Sequence, residues 1–235
     1  QNNLILLNKL EKRRDMKEKY KWLNFWQEDC DVEQFAEWTD SDKQWKKTGR
    51  EYIRKRGYKS VLDTGAGLCL EYSGFINDGI TIDYKATEIT DKFLEIAKHN
   101  NINIVKAHAQ SLPFDDNSFD IVLCYDVLNH QEDFREIILE LYRVCKHEVL
   151  ISFFKPFVED PRAAEEIQSG EFKVEPSPKT NGAILHRMIN SLGETTAIYH
   201  FYSITEIASF LEENFSPFQY SFHNVHEKQI LRILK

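Results

Sequence analysis

From residue 60 onward, short apolar runs of strand length alternate with stretches of helical periodicity. The runs are "SVLDTG", "TIDYKATEI", "INIVKAHA", "FDIVLCYDV" and "EVLISFF". A strand that is apolar on both faces must be covered on both, and helices lying between successive strands provide that cover when the strands run parallel. The spacing predicts helices over Asp91–Asn100, behind Thr90, and over Glu132–Cys145. Near the end, "ITEIASFLEENF" reads as an amphipathic helix. Two further strand candidates follow, "FQYSFHNV" and "KQILRILK", joined by a turn near His226–Glu227. The expected fold is α/β: seven mostly parallel strands with an antiparallel closing strand, and helices on both faces.

Two regions fall outside this alternation. Residues 1–59 read as a helical extension or cap, with helices over 4–26, a looser connection over 27–40 and a helix from an N-cap at Ser41 to about Arg56. Residues 155–200 interrupt the core, which otherwise runs over 60–235. Their prolines and a "TNG" turn signal mark an insertion with short helices or a hairpin of its own, where substrate choice is expected. At 235 residues, the chain suffices for one sizeable core.

Four scattered cysteines without a C-x-x-C pair argue for reduced thiols in a cytoplasmic setting, not a disulfide framework. The longest apolar runs are too short to span a bilayer. The first sixty residues carry a net charge of +4 and the remainder −12, so the body is acidic and poorly suited to nucleic acid. The chain opens without Met, consistent with a domain of a longer, glycan-building protein.

The sharpest local feature is "SVLDTGAGLCLEY", an apolar strand ending in an acid and two close glycines. Glycine admits positive φ and lets a ligand approach where a Cβ would block it. A turn behind a parallel strand sits at the carboxyl edge, where α/β sheets bind ligands. Glu88 lies 25 residues after Asp63, at the end of the next strand, where a carboxylate can accept from both hydroxyls of a ribose. Cys69 in place of a third glycine argues against dinucleotide hydride chemistry.

The ordered set VLDTGAG, ATEIT and A-x-SLPFDDNSFD, with the strand that follows it, resembles the class I S-adenosylmethionine-dependent methyltransferases. Within that class it is most similar to the small-molecule, type 11-like group that carries "LPF-x-DNSFD". The resemblance covers about 60–154 well and 202–235 more weakly. It implies a Rossmann-like fold and S-adenosylmethionine as cofactor. Asp63, Gly65 and Gly67 would face the cofactor's amino acid part, and Glu88 its ribose. Ile89, Ala109 and Gln110 would border the adenine, and Asp126 and Val127 the methionine portion and methyl group. His108 stands where the family commonly has an acid.

Methyl transfer requires alignment above all, and an alcohol acceptor adds the need for a base. His130, beside Tyr125, Asp126 and Asn129, is the first choice for that base, and Asp126 and His223 are the other catalytic candidates. His226, His200 and His186 lie further down the order. On a strand, His223 and His226 face opposite sides, so no metal site is expected there. Tyr72, Phe75, Phe153, Phe154, Phe157, Tyr199 and Tyr202 surround the expected mouth, most of them as core. The expected reaction is O-methylation of a sugar or glycan hydroxyl. The alternatives are a methyltransferase of tRNA or protein, docking through the basic leader, and a non-catalytic binding module.

Overall fold

Helices α1 (Val32–Trp38) and α2 (Gln44–Arg56) precede the sheet. The alternation follows as β1 (Ser60–Thr64), α3 (Leu70–Asn77), β2 (Asp83–Glu88), α4 (Asp91–His99), β3 (Ile104–Lys106), β4 (Phe119–Tyr125), α5 (Arg135–Val144) and β5 (Cys145–Phe153). The chain then continues as β6 (Phe172–Pro176), β7 (Ala183–Met188), β8 (Thr195–Phe201), α6 (Ile204–Asn214), β9 (Tyr220–Val225) and β10 (Lys228–Leu234). This computed structural model describes residues 26–27, 30–153, 172–180, 183–188, 195–216, 219–226 and 228–235. The helices expected over 4–26 therefore lie almost wholly outside the described residues, as do Phe154 and Phe157.

The main sheet has seven strands in the order β3-β2-β1-β4-β5-β10-β9. Strands β1 to β5 are parallel, and β10 is antiparallel to both β5 and β9. One reversed strand thus closes an otherwise parallel, Rossmann-like sheet, as the sequence led us to expect. Burial along β1 and β4 is nearly continuous, yet the two faces sort by period two. Val61, Ile121, Leu123 and Leu150 pack with Trp45 and Ile53 of α2 and Leu94 of α4. Leu62, Val122, Cys124 and Ile151 pack with Ile137, Ile138 and Leu141 of α5 and Ile207 and Leu211 of α6.

Four local expectations are corrected. Residues 32–38, expected as part of a loose connection, form α1. Asp31 caps it by accepting from the Gln34 amide at 2.8 Å, and Phe35 stacks on Phe93 with ring centroids 4.9 Å apart. Helix α2 starts at Gln44, because the Ser41 carbonyl accepts from Arg50 Nη2 at 2.9 Å and Ser41 does not cap it. Helix α5 starts at Arg135, after a 3₁₀ turn over Leu128–His130 has used the preceding residues. The described part of 155–200 is neither helical nor a simple hairpin: β6, β7 and β8 make a three-stranded antiparallel sheet.

Buried charges lock the first helices to this frame. Arg50, fully buried on α2, donates from Nε to Asp78 at 2.6 Å and from Nη1 to Glu71 at 3.1 Å. Glu148 on β5, also fully buried, accepts from Tyr52 Oη at 2.9 Å, Tyr58 Oη at 2.7 Å and Arg232 Nε.

Candidate active site

Strands β2 and β4 flank β1 on opposite sides, so the connections leaving β1 and β4 diverge and open a crevice at their carboxyl ends. A cavity of about 450 Å3 occupies it. Gly65 (φ +66°) and Gly67 (φ +54°) turn the chain there. A Cβ on Gly65 would stand 2.6 Å from Val127 Cγ2, and one on Gly67 would stand 2.8 Å from Phe35 Cε1. Both distances are below contact, so the turn requires glycine at both positions. Cys69 takes the same left-handed region (φ +56°, ψ +37°) and opens α3.

Glu88 ends β2 under three backbone amides. Its Oε2 accepts from Gly67 at 2.8 Å, and its Oε1 accepts from Ile89 at 2.7 Å and Thr90 at 2.9 Å. The carboxylate is therefore pinned between the glycine turn and the start of α4. Asp63 ends β1 nearly buried, accepting from Tyr84 Oη at 2.7 Å. Burial pushes its pKa up to about 7, with nearby Glu71 adding to the rise against the Tyr84 hydrogen bond.

Asp126 follows β4 at φ +59°. Its Oδ1 accepts from Ser152 Oγ at 2.8 Å and from Lys228 Nζ at 2.7 Å. Burial opposes its charge, but Lys228 and Ser152 outweigh burial and hold the carboxyl below the usual range. Lys46, on α2, reaches the same wall and pairs with Glu71 at 3.2 Å.

His130 closes the 3₁₀ turn and lines the cavity among aromatic rings. Its centroid is 4.8 Å from Trp26, edge to face, and 5.3 Å from Tyr199. The second sheet holds this turn in place: Asn129 Nδ2 donates to the His200 carbonyl at 2.9 Å, and Tyr202 Oη reaches the carbonyls of Leu128 and Gln131.

The cavity brings together Asp63, Gly65, Gly67, Glu88, Ile89, Ala109, Asp126, Val127 and His130. Two of the named residues do not line it. Gln110 lies just beyond, its amide donating to His108 Nδ1 at 3.2 Å. His223 is exposed on β9, with Nε2 at 2.7 Å from Ser221 Oγ. Of the mouth aromatics, Tyr199 lines the cavity, whereas Tyr72, Phe75, Phe153 and Tyr202 pack into the core. Sequence reasoning missed Trp26, Phe35, Lys46, Glu71 and Lys228. Glu71 lies within the glycine-turn stretch, where no role was assigned to it; the other four lie outside any motif, and the fold brings them to this edge.

These residues fit S-adenosylmethionine. The glycine turn lies at one end, Glu88 and Ile89 suit a ribose and an adenine, and Asp63 offers a carboxyl to the positively charged end. Residues 62–153 match the family described as a methyltransferase domain, type 11. Fold and site agree with that segment: over residues 62–153 the chain is similar to the class I S-adenosylmethionine-dependent methyltransferases. It is 32% identical over 114 residues to the uncharacterized methyltransferase YcgJ of Bacillus subtilis, covering 45% of this chain and 44% of that protein. Over 111 residues it is 33% identical to the ubiquinone/menaquinone biosynthesis C-methyltransferase UbiE of Legionella pneumophila, covering 43% of this chain and 44% of that one. The matches thus span less than half the length of these curated relatives. Among solved structures, the 1,6-didemethyltoxoflavin-N1-methyltransferase of Burkholderia thailandensis shares the fold. Its TM-score is 0.56 at 15% identity, over 95% of this chain and 86% of that one.

Proposed function

We propose that this protein methylates a small molecule bearing a hydroxyl on a ring, with S-adenosylmethionine as donor and His130 as the base. The observation that carries this reading is one cavity lined both by Asp63, Gly65, Gly67, Glu88 and Ile89 and by His130, Gln131, Tyr199 and Trp26. The bound cofactor supplies a methyl group already activated on a positively charged sulfur. The chain's own task is then to hold, align and exclude water. Glu88, with its orientation set by three amides, accepts from the ribose hydroxyls. Ile89 and Ala109 flank the adenine. Asp63 and Glu71 face the cationic end, and Val127 closes against Gly65. Trp26, Phe35 and Tyr199 keep water from the acceptor while His130 takes the hydroxyl proton. Residues 1–59 act as a cap, and 155–200 shape the acceptor side.

A sugar hydroxyl is the narrower candidate, since a sugar ring stacks on Trp and Tyr as a planar ring does. A second reading has carbon as the acceptor atom, favoured by the relative named as a C-methyltransferase of quinone biosynthesis. The test is incubation with the cofactor carrying a ¹³C-methyl group and a panel of glycans, phenols, quinols and tRNA. Transfer is read by mass spectrometry, and the acceptor atom by the methyl carbon shift. Small-molecule O-methylation is the expected result. A labelled quinol carbon supports the second reading. Cofactor binding without transfer to any member of the panel overturns this reading of the acceptor and favours a binding module.

A further inference from the structure

Because β10 runs against β5, its first residue reaches the edge of the sheet at which β4 and β5 end. That residue is Lys228. It lies outside the matched family segment, and its side chain is only 9% exposed. Its ammonium stands 2.7 Å from Asp126 Oδ1 and 5.6 Å from the centroid of Trp45, and it lines the same cavity as Tyr125, Val127 and Gln131.

Withdrawing an ammonium from water is costly unless partners are built for it. Here they come from three elements: Asp126 behind β4, Ser152 on β5 and Trp45 on α2. Ser152 Oγ donates to the Asp126 carboxylate at 2.8 Å and accepts the Asp126 amide at 2.8 Å. Asp126 also sits in the left-handed backbone region, strained for any residue with a Cβ. Desolvation and strain are both tolerated at this corner to hold the Lys228 ammonium against the cavity, with Lys46 on the same wall paired to Glu71. The cofactor's ribose and adenine match Glu88 and call for no cation; its amino acid carboxylate is the competing anion, and affinity for S-adenosylhomocysteine separates the two.

Resting on the proposed methyl transfer, we propose that Lys228 determines acceptor specificity: it selects molecules that react through an anionic oxygen, a phenolate or an enolate, by holding that oxygen at the Asp126 corner. A fixed ammonium in a poorly hydrated wall stabilises an adjacent oxyanion more than a solvated one does. The acceptor's O–H bond breaks with the electron pair left on oxygen, and the proton passes to His130 or to water. The rings of Trp26, His130 and Tyr199 suit the flat face of such a molecule. Aliphatic alcohols, sugar hydroxyls among them, are far weaker acids and benefit less from the same cation, so this corner favours a phenol or enol over the sugar.

The experiment needs no turnover. The probe is 4-nitrophenol, whose phenolate absorbs visible light and whose phenol does not, titrated with pH against protein saturated with S-adenosylhomocysteine. Bound to the wild type, the probe ionises about one pH unit below its free value, the low end for one nearby opposite charge because the Asp126 carboxylate opposes Lys228. Lys228→Met abolishes that shift and weakens phenolate binding about tenfold, while Lys228→Arg restores most of it. Thermal melting reports that both variants are folded; S-adenosylhomocysteine affinity, measured by calorimetry, stays within about twofold, and a loss of about tenfold or more in Lys228→Met assigns the ammonium to the cofactor's carboxylate and overturns the proposal. Lys228→Gln, which keeps a donor toward Asp126, serves if Lys228→Met does not fold. A wild-type shift in the variant lacking the charge, or no binding of the probe to the wild type, overturns the proposal. A wild-type protein that fails to bind S-adenosylhomocysteine instead overturns the function on which it rests.

Discussion

Cys69 holds a backbone conformation that glycine adopts freely and that costs other residues about 1–2 kcal/mol. Its thiol is completely buried, and burial pushes its pKa up to about 12, so it behaves as a small packing group and not as a nucleophile. Cys69→Gly relieves the strain but leaves a void and loosens the unfolded chain, so urea denaturation should find it within about 1 kcal/mol of wild type. Cys69→Val, β-branched at a positive φ, should cost more than about 2 kcal/mol. Glu88→Ala removes the acceptor for three amides and, on the proposed function, for the ribose, and calorimetry should show cofactor binding weakened by about 1–3 kcal/mol. Asp63 sets a pH dependence. An aspartate unfolds to a pKa of about 3.9, whereas the folded value is about 7, so the fold favours the neutral carboxyl. That contribution is complete below about pH 4 and is lost as pH rises through 7. Asp63→Asn should therefore gain on wild type, by about 2–4 kcal/mol between pH 4 and 8 in cofactor-free denaturation, and a constant difference would exclude this role. Asp63, the two glycines and Glu88 were legible because turn geometry and ribose recognition restrict residue type. Lys46 and Lys228 were not, since a lysine in sequence carries no sign of whether its head is exposed or buried.

Helix α2 works as a strut between the first residues and the cofactor turn. Arg50 reaches across to Asp78 and Glu71 because Gly74 leaves room: a Cβ there would stand 2.5 Å from Arg50 Nη1. Arg50→Met leaves Glu71 with Lys46 as its remaining partner and strips Asp78 of a 2.6 Å bond. Chemical denaturation should show a loss of about 3 kcal/mol, the scale of breaking a buried pair by removing one partner. Gly74→Ala should reproduce much of that loss without touching a charge. The strands and α4 were readable because burial on both sheet faces imposes apolar runs, and because the Thr90 boundary precedes a clear periodicity. Helix α1 was not readable. Its seven residues are too short a window for a helical period to stand out, and much of its support comes from Phe93, more than fifty residues away. The second sheet was hidden for the same reason: its strands lie among turn-forming residues, and their pairing is a tertiary fact.

At the scale of the whole molecule, the cavity draws on three stretches far apart in sequence: the cap, the motif-bearing core, and the elements from Tyr199 to Lys228. Only the middle stretch announced itself, because it alone obeys one fixed chemistry. Replacing residues 172–201 by a short linker removes Tyr199 and the His200 carbonyl that holds Asn129. Methyl transfer should fall at least about a hundredfold, the scale of losing acceptor alignment, while equilibrium dialysis still finds cofactor binding. Loss of both together, in a variant that stays folded, would show that the second sheet serves the cofactor as well. The position of β10 has a further consequence, for synthesis. It is the last strand of the domain to leave the ribosome, yet it lies inside the sheet, paired on both sides by β5 and β9. Until it arrives, the apolar stretch Val149–Phe153 presents a bare backbone edge, the kind that recruits strands from neighbouring chains. A chain cut short before β10 is therefore an aggregation seed.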